Sequence, residues 1–361
     1  MTKLFNKMMW KILIWPLSQI YAMVIQIRNF CYGKKWLSSK QLPAKVISVG
    51  NITVGGTGKT PLVETLAFFL HEKGFRVGIL SRGYRRKKSR NEITSISDGN
   101  TLRENAIHVG DEPALLAKHL PRIPILIGRN RVNAGMKAIE EFGCDLLILD
   151  DGFQHRKIKR DLDVVIIDGT NPWGNGGVLP AGPLREPLRN LKRADAIVLS
   201  RTDETDNLEN VLIQIDSLSK ASKAPVWFAK HKPEHWIDFN KGTTRPLCFL
   251  EKKCVVAFCG IGNPDSFRRT LISLDIEIIG FFPHRDHHWY TIHELQKMSD
   301  LAQSKGAVAL VTTEKDRMRI PASFTNNIPI FILKIKMEMQ EEKALATLVK
   351  PITAVRRGIK K

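Results

Sequence analysis

Residues Gly50-Asn51-Ile52-Thr53-Val54-Gly55-Gly56-Thr57-Gly58-Lys59-Thr60-Pro61 have the types and spacing of a phosphate cradle. Backbone N–H groups can wrap a polyphosphate only where side chains stand clear, and Gly55, Gly56 and Gly58 clear them. Thr53, Val54 and Thr57 fill out the same nucleotide-binding loop. Lys59 would reach the terminal phosphates as a point charge, and the Thr60 hydroxyl would hold Mg²⁺. The chemistry implied is ATP binding with Mg²⁺.

A second group of residues could act on what the loop holds. Asp150 and Asp151 are adjacent carboxylates that can take Mg²⁺ directly or through water. Which of them touches the metal is left open, and a plain strand-ending turn is the alternative. Asp111, in Gly110-Asp111-Glu112-Pro113, could be a helix N-cap, yet phosphoryl transfer to an alcohol needs a carboxylate that accepts the hydroxyl proton. Arg129 and Arg131 could bind phosphate oxygens or line an acidic substrate's path, as could Arg185 in its Gly- and Pro-rich loop. In Pro283-His284-Arg285-Asp286-His287-His288-Trp289-Tyr290 three histidines crowd an aspartate. His287 and His288 are neighbours whose side chains diverge, and no Cys or Glu completes a ligand spacing. An Asp286–His287 pair tuning a catalytic group is the better reading. Ser200-Arg201-Thr202-Asp203 lacks the first two residues of a guanine-reading motif, so GTP specificity is unsupported.

These residues need a scaffold, and the apolar pattern supplies one. Val46 to Val49, Val77 to Leu80, Ile125 to Ile127, Leu146 to Leu149, Val164 to Ile167 and Ala196 to Leu199 are short and uncharged, as strands buried on both faces are. Helical stretches such as Glu112 to His119 and Val132 to Glu141 alternate with them, which predicts an α/β fold with a parallel sheet and ligands at its carboxyl edge. A second set of strands follows Pro225: Val226 to Ala229, Val255 to Cys259, Ile276 to Phe281, Ala307 to Thr312 and Ile328 to Leu333. Residues 233–253 show no clear period and read as connection. The expected division is a lead-in with a membrane-associating helix (1–45), a P-loop kinase domain (46–225) and a smaller α/β domain with a basic tail (226–361).

The chain has 361 residues and a formal charge of +20, which favours an acidic partner. Five scattered cysteines without a Cys-x-x-Cys pair argue against a disulfide framework. Ile12 to Ile27 is apolar but short for a membrane span and interrupted by Pro16, Ser18, Gln19 and Gln26. With Lys3, Lys7 and Lys11 on one face and Trp10, Trp15, Tyr21 and Trp36 nearby, a helix lying in one leaflet is the expectation.

Taken together, the phosphate loop, Ser81-Arg82-Gly83-Tyr84, Gly110-Asp111-Glu112-Pro113, Asp150-Asp151-Gly152-Phe153-Gln154-His155, Leu179 to Glu186 and Asp286-His287-His288-Trp289-Tyr290 resemble the tetraacyldisaccharide 4'-kinase family. The likeness runs in order from Pro16-Leu17-Ser18 to Thr313-Glu314-Lys315-Asp316. It implies a P-loop NTPase-like α/β/α domain with a second α/β/α domain. It also implies transfer of phosphate from ATP to the 4'-hydroxyl of an acylated glucosamine disaccharide 1-phosphate, at the cytoplasmic face of a Gram-negative inner membrane. By the same resemblance Lys59 and Thr60 meet the nucleotide, Asp111 is the base, and His287 supported by Asp286 assists it. Glu112, Arg129, Arg131, His155 and Arg185 are implied as substrate or phosphate contacts. Arg85, Arg86, Lys87, Lys88 and Arg90 could meet anionic lipid, each contributing about 1 kcal/mol near the surface. No nucleic-acid-binding motif and no obligate protein partner is evident. A membrane-surface ATPase switch is the alternative from another class; its signature lysine is replaced by Val54.

Overall fold

The computed structural model describes residues 2–83, 93–99, 110–219, 223–325, 327–341 and 343–354, with side chains from residue 14 onward. The basic run at residues 85–90 and the C-terminal tail lie outside them.

One sheet of 13 strands runs through both halves of the chain. Its elements in the first half are β1 (Lys45–Gly50), β2 (Val77–Ser81), β3 (Thr94–Asp98), β4 (Pro124–Ile127), β5 (Leu146–Asp150), β6 (Leu162–Asp168) and β7 (Ala196–Ser200). The second half adds β8 (Val226–Asp238), β9 (Thr244–Arg245), β10 (Cys254–Cys259), β11 (Glu277–Pro283), β12 (Ala309–Thr313) and β13 (Ile330–Met339). In space the order is β11-β10-β12-β13-β8-β7-β6-β1-β5-β2-β4-β3, with β9 on β8. The β1, β2 and β4 to β7 neighbours pair in parallel, as do β10 to β13 among themselves, which is what charge-free runs covered on both faces predict.

The helices are α1 (Thr2–Gly33), α2 (Lys59–Glu72), α3 (Asp111–His119), α4 (Arg131–Phe142), α5 (Leu208–Ser219), α6 (Pro264–Ser273), α7 (Ile292–Ser304) and α8 (Glu314–Arg317), with two short turns, α9 (Ala344–Leu348) and α10 (Lys350–Thr353), at the end. On α2, Leu62, Val63, Leu66, Ala67 and Leu70 are fully buried against β-strand residues such as Ile47, Ile79 and Ile148. Spacing of three and four residues puts that stripe on one face, and its burial fixes the loop in front of it.

The connection expected over residues 233–253 is in part strand. β8 continues to Asp238 and pairs antiparallel with β13, the ribbon that joins the two halves. Pro233 and the polar Lys230 to Lys232 hide the pattern. Register slips opposite Pro233, where β13 passes from Lys334 to Ile335, so the proline sits at an irregularity that does not need its missing N–H. β3 also went unseen, because Thr94-Ser95-Ile96-Ser97 carries one apolar residue, and it is an antiparallel edge strand. α1 is longer than expected. Its Ser18, Tyr21 and Ala22 face inward: Ser18 Oγ accepts from Ala181 N at 2.9 Å, and Tyr21 OH donates to the Arg185 carbonyl at 3.0 Å. Leu17, Ile20, Met23, Val24, Ile27 and Phe30 face outward, each more than half exposed.

Candidate active site

The loop after β1 is held before any ligand arrives. Asn51 Nδ2 donates to Thr57 Oγ1 at 3.1 Å, Val54 N to the Pro183 carbonyl at 2.8 Å, and Ser200 Oγ to the Thr57 carbonyl at 2.9 Å. Arg201, itself paired with Asp168, donates to the Gly56 carbonyl at 3.2 Å. Gly58 precedes α2 with φ +92°, and a Cβ there would lie 2.8 Å from His231 Nε2, so conformation and space both demand glycine. Gly55 to Thr60 line a cavity, with the N-terminus of α2 at its edge. Thr53 and Thr57 are buried in the loop and Val54 is exposed on it. Gly262 packs directly on the loop, where an added Cβ would meet Gly56 N at 2.5 Å; the second half of the chain thus closes onto it.

The carboxylates arrive by strand register. Val49 of β1 pairs with Asp150 of β5, and a Cβ on Gly50 would meet Phe153 N at 2.6 Å, so the Asp150 to Phe153 turn is pressed against the loop. Ser81 Oγ donates to Asp150 Oδ2 at 3.0 Å. Asp151, at φ +53°, takes Arg185 Nη1 on both oxygens at 2.7 Å, and its carbonyl accepts from Arg131 Nη1 at 3.0 Å. Lys59 Nζ stands 3.9 Å from Asp151 Oδ1.

Two neighbours diverge in acidity. Burial pushes Asp150 up, and the charges of Glu112 and Asp151 add to this, to about 6. Burial also opposes ionisation of Asp151, but Lys59 and Arg185 outweigh it and bring the group down to about 2. Burial lowers Lys59 as well, with Asp151 working the other way. Asp150 is thus the buried carboxylate of this group without a cation hydrogen-bonded to it, a hard oxygen donor on the strand next to the loop that ends in Thr60. That donor chemistry fits Mg²⁺.

The first turn of α3 reaches into the second half. Asp111 Oδ2 accepts from Arg319 Nε at 2.9 Å and from Arg319 Nη2, and lies 3.1 Å from His287 Nδ1. Arg319 Nη2 also lies 3.2 Å from His287 Nδ1; in the tautomer with the proton on Nδ1 that proton goes to Asp111, and Nε2 is the nitrogen left to accept one. That nitrogen lies 3.9 Å from Asp286 Oδ2. Burial would raise Asp111, but the bonds from His287 and Arg319 prevail and hold it well below the usual carboxylate range. Glu112 Oε1 pairs with Lys315 Nζ at 2.6 Å, and that partner lowers the carboxyl while raising the lysine against its burial. Arg319, fully buried, also donates to the Gly260 carbonyl at 2.6 Å. Asp316 accepts from Gly260 N, Tyr290 OH and Thr313 Oγ1 at 2.8, 2.9 and 2.6 Å.

The structure therefore links Lys59, Arg131 and Arg185 to Asp151 beside Asp150, and His287 to Asp111 and Asp286; of the expected site residues outside the glycine loop, Lys59, Thr60 and Glu112 line the cavity itself. His155 follows the carboxylate turn; burial, then Arg131 and Arg160, bring it down to about 3, and its Nε2 is buried without a partner among the described residues. Arg129 is exposed at the turn after β4. Sequence reading gave no role to Lys315, which it met only at the end of the family resemblance, and missed Arg319. It also missed His119, which bridges Glu64 and Glu314 at 2.9 Å on each ring nitrogen and lines the same cavity. Arg319 sits three residues after Asp316, in the turn beyond α8, and belongs to no motif of its own.

The sequence signature of the tetraacyldisaccharide-1-P 4'-kinase family matches residues 10–353. The chain belongs to that family. The tetraacyldisaccharide 4'-kinase of Syntrophus aciditrophicus is 39% identical over 340 residues, covering 92% of this chain and 90% of its own. That of Halothermothrix orenii is 36% identical over 347 residues, with 92% and 90% covered. A crystal structure of Aquifex aeolicus LpxK in complex with ATP superposes with a TM-score of 0.73 at 33% identity, covering 95% of this chain and 99% of that one. The chain is thus an ATP-dependent kinase of lipid A biosynthesis with a P-loop α/β fold. The ATPase-switch alternative falls with that assignment.

Proposed function

We propose that this chain transfers the γ-phosphate of ATP to the 4'-hydroxyl of a tetraacylated glucosamine disaccharide 1-phosphate, at the surface of a membrane. The observation that carries the reading is the cavity lined by the glycine loop, Lys59, Thr60, Glu112 and Lys315, with the Asp111–His287 pair adjoining it through Glu112. Lys59 and the loop N–H groups hold the triphosphate, and Arg131 and Arg185 keep the Asp151 turn in place beside it. Thr60 and Asp150 would hold Mg²⁺, since both Asp151 oxygens are already engaged by Arg185. The ion, when bound, neutralises charge on the transferring group.

Proton removal falls to Asp111 and His287 together. A carboxylate pulled so far down accepts a proton poorly by itself, whereas it orients an imidazole well and stabilises its cation. His287 Nε2 takes the hydroxyl proton, Asp111 holds Nδ1–H, and Asp286 lies beside the nitrogen that becomes charged. Arg319 and Lys315 fix Asp111 and Glu112 so that the sugar oxygen meets the phosphorus in line. Glu112, Arg129, His155 and Arg185 are proposed to face the sugar and its phosphate. Residues 46–225 and 226–361 act as the two lobes, joined by the β8–β13 ribbon.

The lipid explains the outward stripe on α1. No helix among the described residues is long and apolar enough to cross a membrane. A helix that docks one face on the kinase and exposes Leu17, Ile20, Val24 and Ile27 on the other is suited to lie in one leaflet, at the cytoplasmic face of the inner membrane. Changing those four residues to serine is expected to abolish sedimentation with anionic vesicles; unchanged sedimentation would refute the membrane reading. For the reaction, labelled ATP and the acylated disaccharide 1-phosphate should give a product labelled at the 4' position. Release of label as inorganic phosphate alone, with none on the lipid, would overturn the kinase reading.

A further inference from the structure

Next to the catalytic turn is a group of side chains that phosphoryl transfer does not use. His284 and His288 stack with ring centroids 4.3 Å apart and planes 12° from parallel. His288 Nε2 lies 3.1 Å from Glu294 Oε1. His284 Nε2 is shut off from solvent and has no hydrogen-bond partner among the described residues. The sequence pattern hid this arrangement, because the third donor comes not from the histidine run but from the first turn of α7.

We propose that His284, His288 and Glu294 form a binding site for a divalent first-row transition metal of the zinc type. One ligand atom from each residue lies within 4.8 Å of the others. In a tetrahedral zinc site with bonds of about 2.0–2.1 Å, ligand atoms are about 3.4 Å apart. The His288–Glu294 pair already meets that spacing, and the two rings must tilt out of parallel for their nitrogens to converge. Two imidazoles and one carboxylate, with a fourth position left to water, suit zinc; Mg²⁺ prefers an all-oxygen shell.

The supporting contacts also fit. Glu294 Oε2 is held by Thr291 N at 2.8 Å and Thr291 Oγ1 at 2.9 Å in a capping box, which aims Oε1 at His288. Such contacts orient a ligand and preserve its affinity. The backbone is anchored as well: His284 N donates to the Cys259 carbonyl at 2.8 Å and His288 N to the Arg285 carbonyl at 3.1 Å. His288 and Glu294 keep about a quarter to a third of their side-chain surface exposed, at 27% and 34%, so an ion from solution can enter. A metal here would clamp both ends of the turn that carries Asp286 and His287.

The test is calorimetric titration of ZnCl₂ into the full chain, stripped with chelator and free of nucleotide and Mg²⁺. One ion should bind, and millimolar Mg²⁺ should not displace it. His284→Ala and Glu294→Gln should each weaken binding by at least about tenfold. Glutamine preserves the cap, so that variant carries the test if His284→Ala fails to fold. Co²⁺ in place of zinc should show the visible bands of nitrogen ligation in the wild type and lose them in Glu294→Gln. No stoichiometric binding, or binding equal in wild type and both variants, would overturn the site.

Discussion

The two walls of the cleft treat charge in opposite ways. On the phosphate wall Asp150 and Asp151 crowd Lys59, and Asp150 is left pushed up to about 6 by burial and by the like charges of Glu112 and Asp151. On the facing wall Asp111 is met by Arg319 and His287, Glu112 by Lys315, and Asp316 by Gly260, Tyr290 and Thr313. The first wall is unbalanced until a cation and a polyphosphate arrive, while the second is complete by itself. A site that must receive charge carries strain the fold does not need, and a site that must hold geometry does not.

Substitutions should separate the walls. Lys59→Ala and Asp150→Asn are each expected to cut turnover by roughly 10² or more, by removing phosphate or metal contacts that strengthen in the transition state. Asp150→Asn should at the same time melt no lower than wild type at pH 7.5, because the raised carboxyl's cost to stability grows as the pH climbs from its unfolded value of 3.8 and is complete above about 6. A melting point several degrees lower would contradict the contrast. Arg319→Met should do the reverse, lowering stability by about 3–5 kcal/mol in denaturant titrations, since it leaves Asp111 and Asp316 buried without their cation.

The smallest effect is expected at His119. Burial lowers its affinity for a proton, but the bonds to Glu314 and Glu64 prevail and raise it to about 9. The stability this gives is complete below about pH 6.5, its unfolded value, and is lost as the pH climbs through 9. Thermal melts between pH 6 and 9.5 should fall more steeply in wild type than in His119→Gln. Parallel curves would remove His119 from the account.

The phosphate wall was legible because its residues are contiguous: a loop, its strand and its helix lie within Lys45 to Glu72, and Asp150 needs only parallel pairing to reach them. The facing wall was half legible. Asp111, Asp286 and His287 stood out by type, yet what fixes them, Arg319 and Lys315, comes from a helical turn about 200 residues downstream of Asp111 with no spacing that tells of it. The same logic governs the fold. Strands buried on both faces announced themselves as uncharged runs, whereas β8 and β3, with polar or solvated faces, were masked by Pro233, lysines and serines. Glu294 joined the histidine cluster only through the folding of α7 onto the β11 end.

The most direct test is a double-mutant cycle on turnover with Asp111→Ala, His287→Ala and the pair, at saturating ATP and lipid. If the two residues remove the proton as one unit, each single change lowers kcat by roughly 10² or more and the double variant is no slower than the worse single. Independent, multiplying losses, or near wild-type turnover in Asp111→Ala, would contradict it.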